Sequence, residues 1–473
     1  MYKRTLRCDA RKPIIFAVGL AIFERMRKMT NYSDTLAQLL DDARKLGATQ
    51  ADAILLGSTD ISIGRRLGQL EELERAESKG IGLRVLVGQR QSTVSSSDLS
   101  RDSLKELAER AVAIAKQAPE DPYLCFADND LLAGKAKDLG IEDSSEEPSA
   151  EWLLARCAEA EEAALAVAGI TNSEGASANF SRHQVALAIS TGFAQEYGQT
   201  SASLSVSVLA GEGTGMERDY DYALVRHVCD LPDASQIGRN AAKYALARLN
   251  PRRVPTCQVP VIFDPRVGRS LLGNFTAAIS GASVARGTSF LKDAMNTRIF
   301  GEQIKIIDDP LLHGGLGSKP FDGEGVVGHK LALVEKGELK HWLLDCRSAK
   351  QLGLKTNGRA GRSISSSPSP SATNTYIAAG THTPDEMMAE IKNGFYVTET
   401  FGMGINLLTG DYSQGAAGFW IENGKKAYAV SEMTIAGKLQ DMFLQMTPAN
   451  DLEFRYRTNT PTLRVEKMTV AGS

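Results

Sequence analysis

The stretch from Ser201 to Val208 reads SASLSVSV, with a serine at every second position and an apolar residue between. Successive side chains of a β-strand point to opposite faces of its sheet. The stretch therefore predicts a strand with one apolar face and one serine-lined, solvated face. That pattern is typical of antiparallel sheets, because strands of an all-parallel sheet are buried on both faces.

Helical and strand patterns lie on both sides of this stretch. Residues 30–118 read as a helix, several short strands and a second helix. An acidic, polar linker over 119–148 leads to an alanine-rich helix that Ser149 caps, and strands with glycine turns dominate from Val259 onward. The sequence therefore predicts an α+β fold, in which a mixed helix and antiparallel-sheet N-terminal region is followed by a mainly β C-terminal domain.

We divide the 473 residues into four segments. They are an unassigned extension over 1–28, an N-terminal α+β domain over 29–118, a central domain over 119–255 and a β-rich C-terminal domain over 256–473. The extension holds the apolar run PIIFAVGLAIF between basic flanks, which is shorter than the ~20 residues of a membrane span. It is read either as a targeting segment or as a mis-started extension with Met29 as the working start.

Charge and cysteine content exclude several classes of protein. Lys plus Arg total 54 against 57 Asp plus Glu, so the net charge of -3 gives no basic surface for nucleic acid. The six cysteines form no C-x-x-C pair, which excludes zinc ribbons and thioredoxin-like motifs. Their scatter is typical of reduced thiols, and we expect a cytoplasmic protein that does not enter the membrane.

The glycine motif GEGVVG at Gly323–Gly328 matches the dinucleotide-binding fingerprint letter by letter. That fingerprint needs a strand before it and a helix N-terminus after it. Here a strand-like stretch with a Lys336-Gly337 turn follows instead. We therefore do not assign nucleotide binding to this motif.

Five residues in the same region form a candidate metal site. His329 and His341 flank one predicted hairpin and could approach Asp322 or Glu324, with His313 shortly before them. A metal site needs three or four converging ligands, whereas lone histidines are mostly polar residues with ordinary hydrogen-bond partners. A metal site formed by these five residues therefore remains an alternative hypothesis.

The segment RSLLGNFTAAISGASVARGTSFL at Arg269–Leu291 reads as an apolar helix, a small-residue turn and a Gly-Thr-Ser exit. A segment of this build often carries a catalytic motif. This one contains no His, Glu, Asp or Cys. It predicts a helix without the side chains that acid–base or metal chemistry requires.

Six blocks, in order along the chain, give a specific resemblance to a known family. They are SKGIGLRVLVGQRQSTVSSSDLS, LLGNFTAAISGASVARGTSFL, GLGSKPFDGEGVVGHKLALVEKGEL, SPSPSATNTYIAAG, MTIAGKLQDMF and VEKMTVAG. From about Ser33 to its end, the chain resembles the TldD/PmbA family, and within it the PmbA branch, also called TldE.

The resemblance implies a two-subunit peptidase. The TldD-type partner carries H-E-x-x-x-H and a downstream Cys that bind zinc, and its Glu acts as general base on the zinc-bound water. By correspondence, the first His falls near Gly273, the Glu near Asn274 and the second His near Ala278. The Cys-bearing loop falls near 454–459, which has no Cys. The resemblance therefore implies a non-catalytic subunit with no cofactor of its own and with zinc in the partner.

The role of such a subunit also follows from the resemblance. It would close a chamber with the TldD-type chain and admit unfolded or short peptides, in peptide-precursor maturation and antitoxin degradation. Peptides held by main-chain hydrogen bonds at a sheet edge are selected weakly by side chain. Two alternatives stay open: an independent metal-dependent hydrolase with a relocated site, and a homodimeric peptide-binding module.

Overall fold

The computed structural model describes residues 32–472, and the extension over 1–28 lies outside them. Helices and antiparallel strands alternate in the first half of the described chain, and strands dominate the second half. The predicted α+β class is confirmed. Within residues 32–472, no helix is long and apolar enough to span a membrane.

A six-stranded antiparallel sheet, the N-terminal sheet, forms the first half of the chain. Its strands are β1 Gln50–Arg66, β2 Gln69–Val87, β3 Arg90–Ser96, β4 Ile170–Ile189, β5 Ala194–Ala210 and β6 Glu217–Val225. They lie in the order β3-β2-β1-β4-β5-β6. Since β1 pairs with β4, the sheet runs without a break through the predicted N-terminal and central domains.

Four helices cover one face of this sheet: α1 (32–45), α2 Arg101–Gln117, α3 Ala150–Leu165 and α4 Ala234–Ala247. The first two pack on one end of the sheet and the last two on the other. Leu204, Val206 and Val208 are buried beneath α3 and α4. On the opposite face, the Ser205 hydroxyl lies 2.9 Å from that of Ser177. The predicted division of this strand into an apolar and a polar face is confirmed.

The C-terminal region has a large and a small sheet. The large sheet has the order β16-β15-β14-β7-β19-β17, formed by β7 Cys257–Phe263, β14 Asn393–Asn406, β15 Asp411–Glu422, β16 Lys425–Lys438, β17 Met446–Pro448 and β19 Leu463–Ala471. The small sheet has the order β10-β9-β8-β13-β18, formed by β8 Ile306–Asp308, β9 Leu331–Glu335, β10 Glu338–Leu339, β13 Thr375–Ile377 and β18 Thr458–Asn459. The short strands β11 Ala360–Gly361 and β12 Ser369–Pro370 pair with each other. Helices α5 Pro265–Ala278, α6 Gly281–Ala285, α7 Cys346–Gln351, α8 Pro384–Ala389 and α9 Leu439–Leu444 lie between these strands in sequence.

The bare face of the N-terminal sheet packs against the C-terminal region. Ile54, Leu187 and Ile189 on the sheet form an apolar cluster with Phe321 of the C-terminal region. Ile364 lies directly on Gly82 of β2, where an added Cβ would come 2.1 Å from the Ile364 carbonyl oxygen. Only glycine allows the two backbones to approach this closely.

A buried ion network joins the same two surfaces. Asp52 of β1 and Arg84 of β2 are direct cross-strand partners, and the Arg84 Nε donates to Asp52 Oδ2 at 2.8 Å. From the C-terminal region, the Arg362 Nη1 donates to Asp52 Oδ1 at 2.6 Å. Arg84 Nη1 lies 3.8 Å from Glu324 Oε1. One carboxylate therefore binds two guanidinium groups from two halves of the molecule.

Burial dominates the protonation of Glu324 in this network. Its pKa rises from 4.5 to about 7, because loss of solvent outweighs the attraction of the Arg84 guanidinium. Burial opposes ionisation of Asp52 as well, but Arg362 and Arg84 lower its pKa below 3.8. At neutral pH the network is held by the Asp52 charge.

We expect Asp52→Asn to destabilise the chain by about 3–5 kcal/mol, because it leaves two buried guanidinium groups without their shared carboxylate. Urea unfolding followed by fluorescence and circular dichroism measures the effect. Asp60→Asn, on the same strand but only partly buried, is the control and should change the midpoint little. Equal urea midpoints for the two variants would contradict the expectation, because they would show that the buried Asp52 carboxylate contributes no more to stability than the partly buried Asp60 carboxylate.

Glu324→Gln should change how stability depends on pH. Between pH 4.5 and about 7 the folded carboxyl keeps its proton while the unfolded one loses it, so wild-type stability falls as pH rises through this window. Glutamine cannot ionise. The free energy of unfolding of the variant minus that of the wild type should therefore be more positive at pH 8 than at pH 4.5, by on the order of 3 kcal/mol. The Tm of both proteins, measured at the two pH values, checks this difference. Glu74→Gln, at an exposed position on β2, is the matched control. A pH-independent difference for Glu324→Gln would contradict the expectation.

Candidate functional site

Helix α5 begins the segment that is predicted to correspond to the metal-binding helix of a TldD-type chain. Asp264 caps it, since Asp264 Oδ1 accepts a hydrogen bond from the Arg266 amide at 3.0 Å, and Pro265 occupies the first turn. Leu271 and Phe275 bury one side of the helix in the C-terminal core. The predicted helix is present, with an ordinary start and a firmly packed face.

The three positions of α5 that were matched to the H-E-x-x-x-H motif differ in their burial and surroundings. Gly273 is exposed, and a Cβ added there would meet nothing within 4 Å. Ala278 is fully buried in the apolar core. Asn274 lies between them, and its buried Nδ2 makes no hydrogen bond to the described residues. Positions five apart on a regular helix diverge by about 140°, so this helix does not turn both histidine positions toward one ligand.

Two partly buried arginines lie on the same side of α5 as Gly273. Arg266, Arg269 and Gly273 follow one another at spacings of three and four, which places them on one side of the helix. The Arg269 Nη1 donates to the Tyr222 hydroxyl at 2.9 Å. Its guanidinium carbon lies 4.4 Å from the centre of the Tyr456 ring. A cation held by two aromatic side chains therefore stands one turn before Gly273.

The loop at 454–459, predicted to correspond to the partner's Cys-bearing loop, is shaped by Asn459. Its Oδ1 accepts hydrogen bonds from the amides of Arg455 and Tyr456, at 3.0 and 2.9 Å. Tyr456 packs on Tyr222 with the ring centres 5.5 Å apart, and burial raises the pKa of Tyr456. Through Tyr456 and Arg269, the loop and α5 meet at one place in the structure.

A cavity of about 690 Å³ opens beside the first turn of α5. Strand β6 and helix α4 form its wall on the central side, and α5, β14, β16 and the loop before β19 form the opposite wall. Its aromatic and charged lining residues are Tyr244, Tyr396, Phe419, Tyr428, Tyr456, Lys243, Arg266, Lys426, Arg455, Asp221, Asp264, Asp451 and Glu453. The lining thus combines five aromatic with eight charged side chains, and the cavity lies between two regions of the chain, where ligand sites often form.

The carboxylates of the alternative metal site are used by the backbone. Asp322 Oδ1 accepts from the amides of Glu324 and Val326, and its Oδ2 accepts from that of Ala360. Glu324 Oε2 accepts from the Cys346 amide at 2.8 Å. Both groups are buried, and they hold the glycine motif in its loop.

The three histidines do not complete a site with those carboxylates. The pKa of His341 is lowered by burial and then by the nearby charge of His329, so these two are neighbours. His313 lies elsewhere, with its ring against Gly140. The structure thus brings His329 to His341 and Asp322 to Glu324, but not all five residues together.

The residues at α5 and the 454–459 loop do not fit a zinc ion. Zinc takes three or four His, Cys, Asp or Glu ligands. Within residues 32–472, no three such side chains are placed to share a metal. Arg269, which lies where α5 meets the loop, offers only N–H donors and no lone pair for a metal. We derive no metal-dependent step from this site.

Sequence reasoning missed the side chains that fill the site. Arg266 and Arg269 could have been found from their helical spacing ahead of Gly273. Tyr222 and Tyr456 carry no such local signal, because they come from distant parts of the chain. Lys243 and Lys426, on opposite walls of the cavity, were missed for the same reason.

Comparisons with known proteins cover nearly the whole described chain. Three family profiles match in order: PmbA/TldA metallopeptidase domain 1 at 51–115, the central domain at 143–249 and the C-terminal domain at 256–472. Among solved structures, a proposed modulator of DNA gyrase from Bacteroides thetaiotaomicron has a TM-score of 0.85 at 26% identity, covering 93% of this chain and 98% of its own. TldE from Thermococcus kodakarensis shares the fold, with a TM-score of 0.83 at 21% identity over 92% of this chain and 99% of its own.

Two curated relatives are similar over almost their full length. The metalloprotease PmbA of Escherichia coli O157:H7 is 37% identical over 95% of this chain and 97% of its own. The PmbA homolog of Haemophilus influenzae is 36% identical over 91% of this chain and 94% of its own. The chain therefore belongs to the PmbA/TldD metallopeptidase family, which its sequence blocks predicted.

Proposed function

We propose that this chain is the non-catalytic subunit of a two-chain peptidase, in which a TldD-type partner supplies the zinc centre. The observation that carries the proposal is the meeting of α5 with the 454–459 loop. By the resemblance, these two segments correspond to those that hold zinc in the partner. Here they present Arg269 and Tyr456, and both side chains contact Tyr222 of β6. The arrangement binds and positions polar groups, but it offers no activated water.

The subunit's part in the reaction is to enclose the peptide. Its cavity beside α5 has aromatic walls and charged groups of both signs, which suits a short or unfolded peptide better than a folded domain. Peptide-precursor maturation and antitoxin degradation are the processes that such an enclosure would serve. The site of action we propose is the cytoplasm.

The experiment compares the chain alone with the chain co-expressed with a TldD-type chain from the same genome. We expect less than stoichiometric zinc and no hydrolysis of an unstructured peptide for the isolated full chain. With the partner, we expect co-purification, zinc and hydrolysis. Zinc is measured by mass spectrometry and cleavage by chromatography of the products.

A double variant separates this proposal from the relocated metal site. His329→Ala with His341→Ala should leave hydrolysis by the two-chain complex unchanged, because neither histidine lies in the cavity lining. Stoichiometric zinc and hydrolysis in the isolated chain, both lost in the double variant, would instead support an independent hydrolase. Stable self-association without any affinity for the TldD-type chain would support the homodimeric peptide-binding module.

A further inference from the structure

Two lysines stand on opposite walls of the cavity beside α5. Lys243 belongs to α4, on the central side, and Lys426 belongs to β16, on the C-terminal side. No carboxylate of the described residues lies within ion-pair distance of either ammonium group. Burial lowers the pKa of Lys426 and the charge of Lys243 lowers it further, against the opposing pull of Asp264 and Asp385. The two ammonium groups therefore lie close enough for each to feel the charge of the other.

Three of the four acidic residues in the cavity lining are engaged with its own walls, and the fourth, Glu453, is exposed. Asp264 caps α5 through Oδ1 and accepts the Tyr396 hydroxyl through Oδ2 at 3.0 Å. Asp451 accepts from the amide and the hydroxyl of Thr462 at 2.8 and 2.7 Å. Asp221 accepts from Asn240 at 2.8 Å and lies 3.6 Å from Arg455. These contacts leave the lysine pair as the cationic groups open to a ligand.

Aromatic rings and one hydroxyl complete the surroundings. The Lys426 Nζ lies 3.3 Å from the centre of the Tyr396 ring and 5.7 Å from that of Phe419. Thr460, also in the lining, is only 3% exposed, and its hydroxyl has no hydrogen-bond partner among the described residues. An apolar group would pack on the rings, while a polar group beside it would satisfy the ammonium groups and the hydroxyl.

We propose that this cavity binds a peptide through a carboxylate, which Lys243 and Lys426 hold from opposite walls while the neighbouring side chain packs on Tyr396 and Phe419. The inference rests on the proposed function, since the peptide is the one that the subunit encloses. Two sources share this chemistry: the α-carboxylate of a peptide C-terminus and the carboxylate of an acidic side chain.

Fluorescence anisotropy with the purified full chain tests the inference. The probes are three N-terminally labelled peptides: GSAGSAF with a free C-terminus, the same peptide amidated, and amidated GSAGDAF. Tighter binding of the first peptide than of its amide identifies an α-carboxylate site, and tighter binding of the third than of the second identifies a side-chain carboxylate site. A wild-type chain that binds all three equally, or binds none, overturns the proposal.

Charge-removing variants locate the site. Lys243→Met and Lys426→Met should each weaken binding of the preferred acid peptide about 10- to 100-fold, the range expected for loss of a charge-assisted hydrogen bond. Lys426→Arg should keep most of the affinity. Lys425→Met is the matched control, because Lys425 is exposed on the same strand and lies outside the lining. Equal losses in Lys425→Met, or none in the two cavity variants, overturn the assignment.

Association with the TldD-type chain is measured in parallel by size-exclusion chromatography. If the cavity variants bind the partner and bind acid peptides like the wild type, the carboxylate site alone is wrong. If the wild-type chain binds acid peptides but no TldD-type partner, the proposed function is wrong and the carboxylate site stands.

Discussion

The carboxylate of Asp52 is the contact on which the arrangement of the two halves depends. It lies on the bare face of the N-terminal sheet and binds Arg84 of the neighbouring strand and Arg362 of the C-terminal region. A buried ion network of this kind adds little net stability, because desolvation cancels most of the attraction. The network nevertheless constrains the register of β1 in the sheet. A one-residue slip of β1 would turn Asp52 toward the helices and leave both guanidinium groups without a partner.

A second set of ion pairs joins the two regions that line the cavity. Asp219 of β6, which is 4% exposed, binds Arg266 of α5 at 2.9 Å and lies 3.7 Å from Arg248. Arg248 in turn binds Glu399 of β14 at 2.5 Å. The two walls of the cavity are thus fixed to each other by ion pairs on one side of it. Because the walls come from different regions, the cavity keeps its width only while these regions stay docked.

The site beside α5 shows how one backbone can serve different chemistry. A fold determines where side chains point, and the residues at those points determine what they can do. Arg269 of α5 and Tyr456 of the 454–459 loop are in contact, so the two segments meet. Here the side chains at the point of contact are an arginine and two tyrosines, so the positive charge at this site belongs to the polypeptide itself.

Sequence reasoning succeeded where the deciding contacts are local. The alternation over 201–208 and the Lys336-Gly337 turn each act within a few residues. The turn shows why: both residues have positive φ, at 50° and 76°, as a tight hairpin requires. The family was likewise readable, because its blocks are contiguous in sequence.

The contacts of the candidate site could not be predicted from the sequence, because they join segments that are distant along the chain. Tyr222, Arg269 and Tyr456 come from β6, α5 and a late loop, and no periodicity relates them. Composition also misled for 119–148, which reads as a solvated linker. Leu139 and Ile141 in that segment are buried, and the Ile141 carbonyl accepts a hydrogen bond from the Thr200 amide at 2.9 Å. A backbone hydrogen bond of this kind does not depend on the identity of the side chain, so residue types do not indicate it.

The cavity's place between two regions links its occupancy to their docking. A ligand that contacts Lys243 on one wall and Lys426 on the other binds only the docked arrangement, so it stabilises that arrangement by mass action. The ion pairs that Asp219 and Glu399 make join the same two regions in the free chain. Ion pairs therefore hold the docked arrangement in the free chain, and a ligand bound to both lysines would stabilise it further.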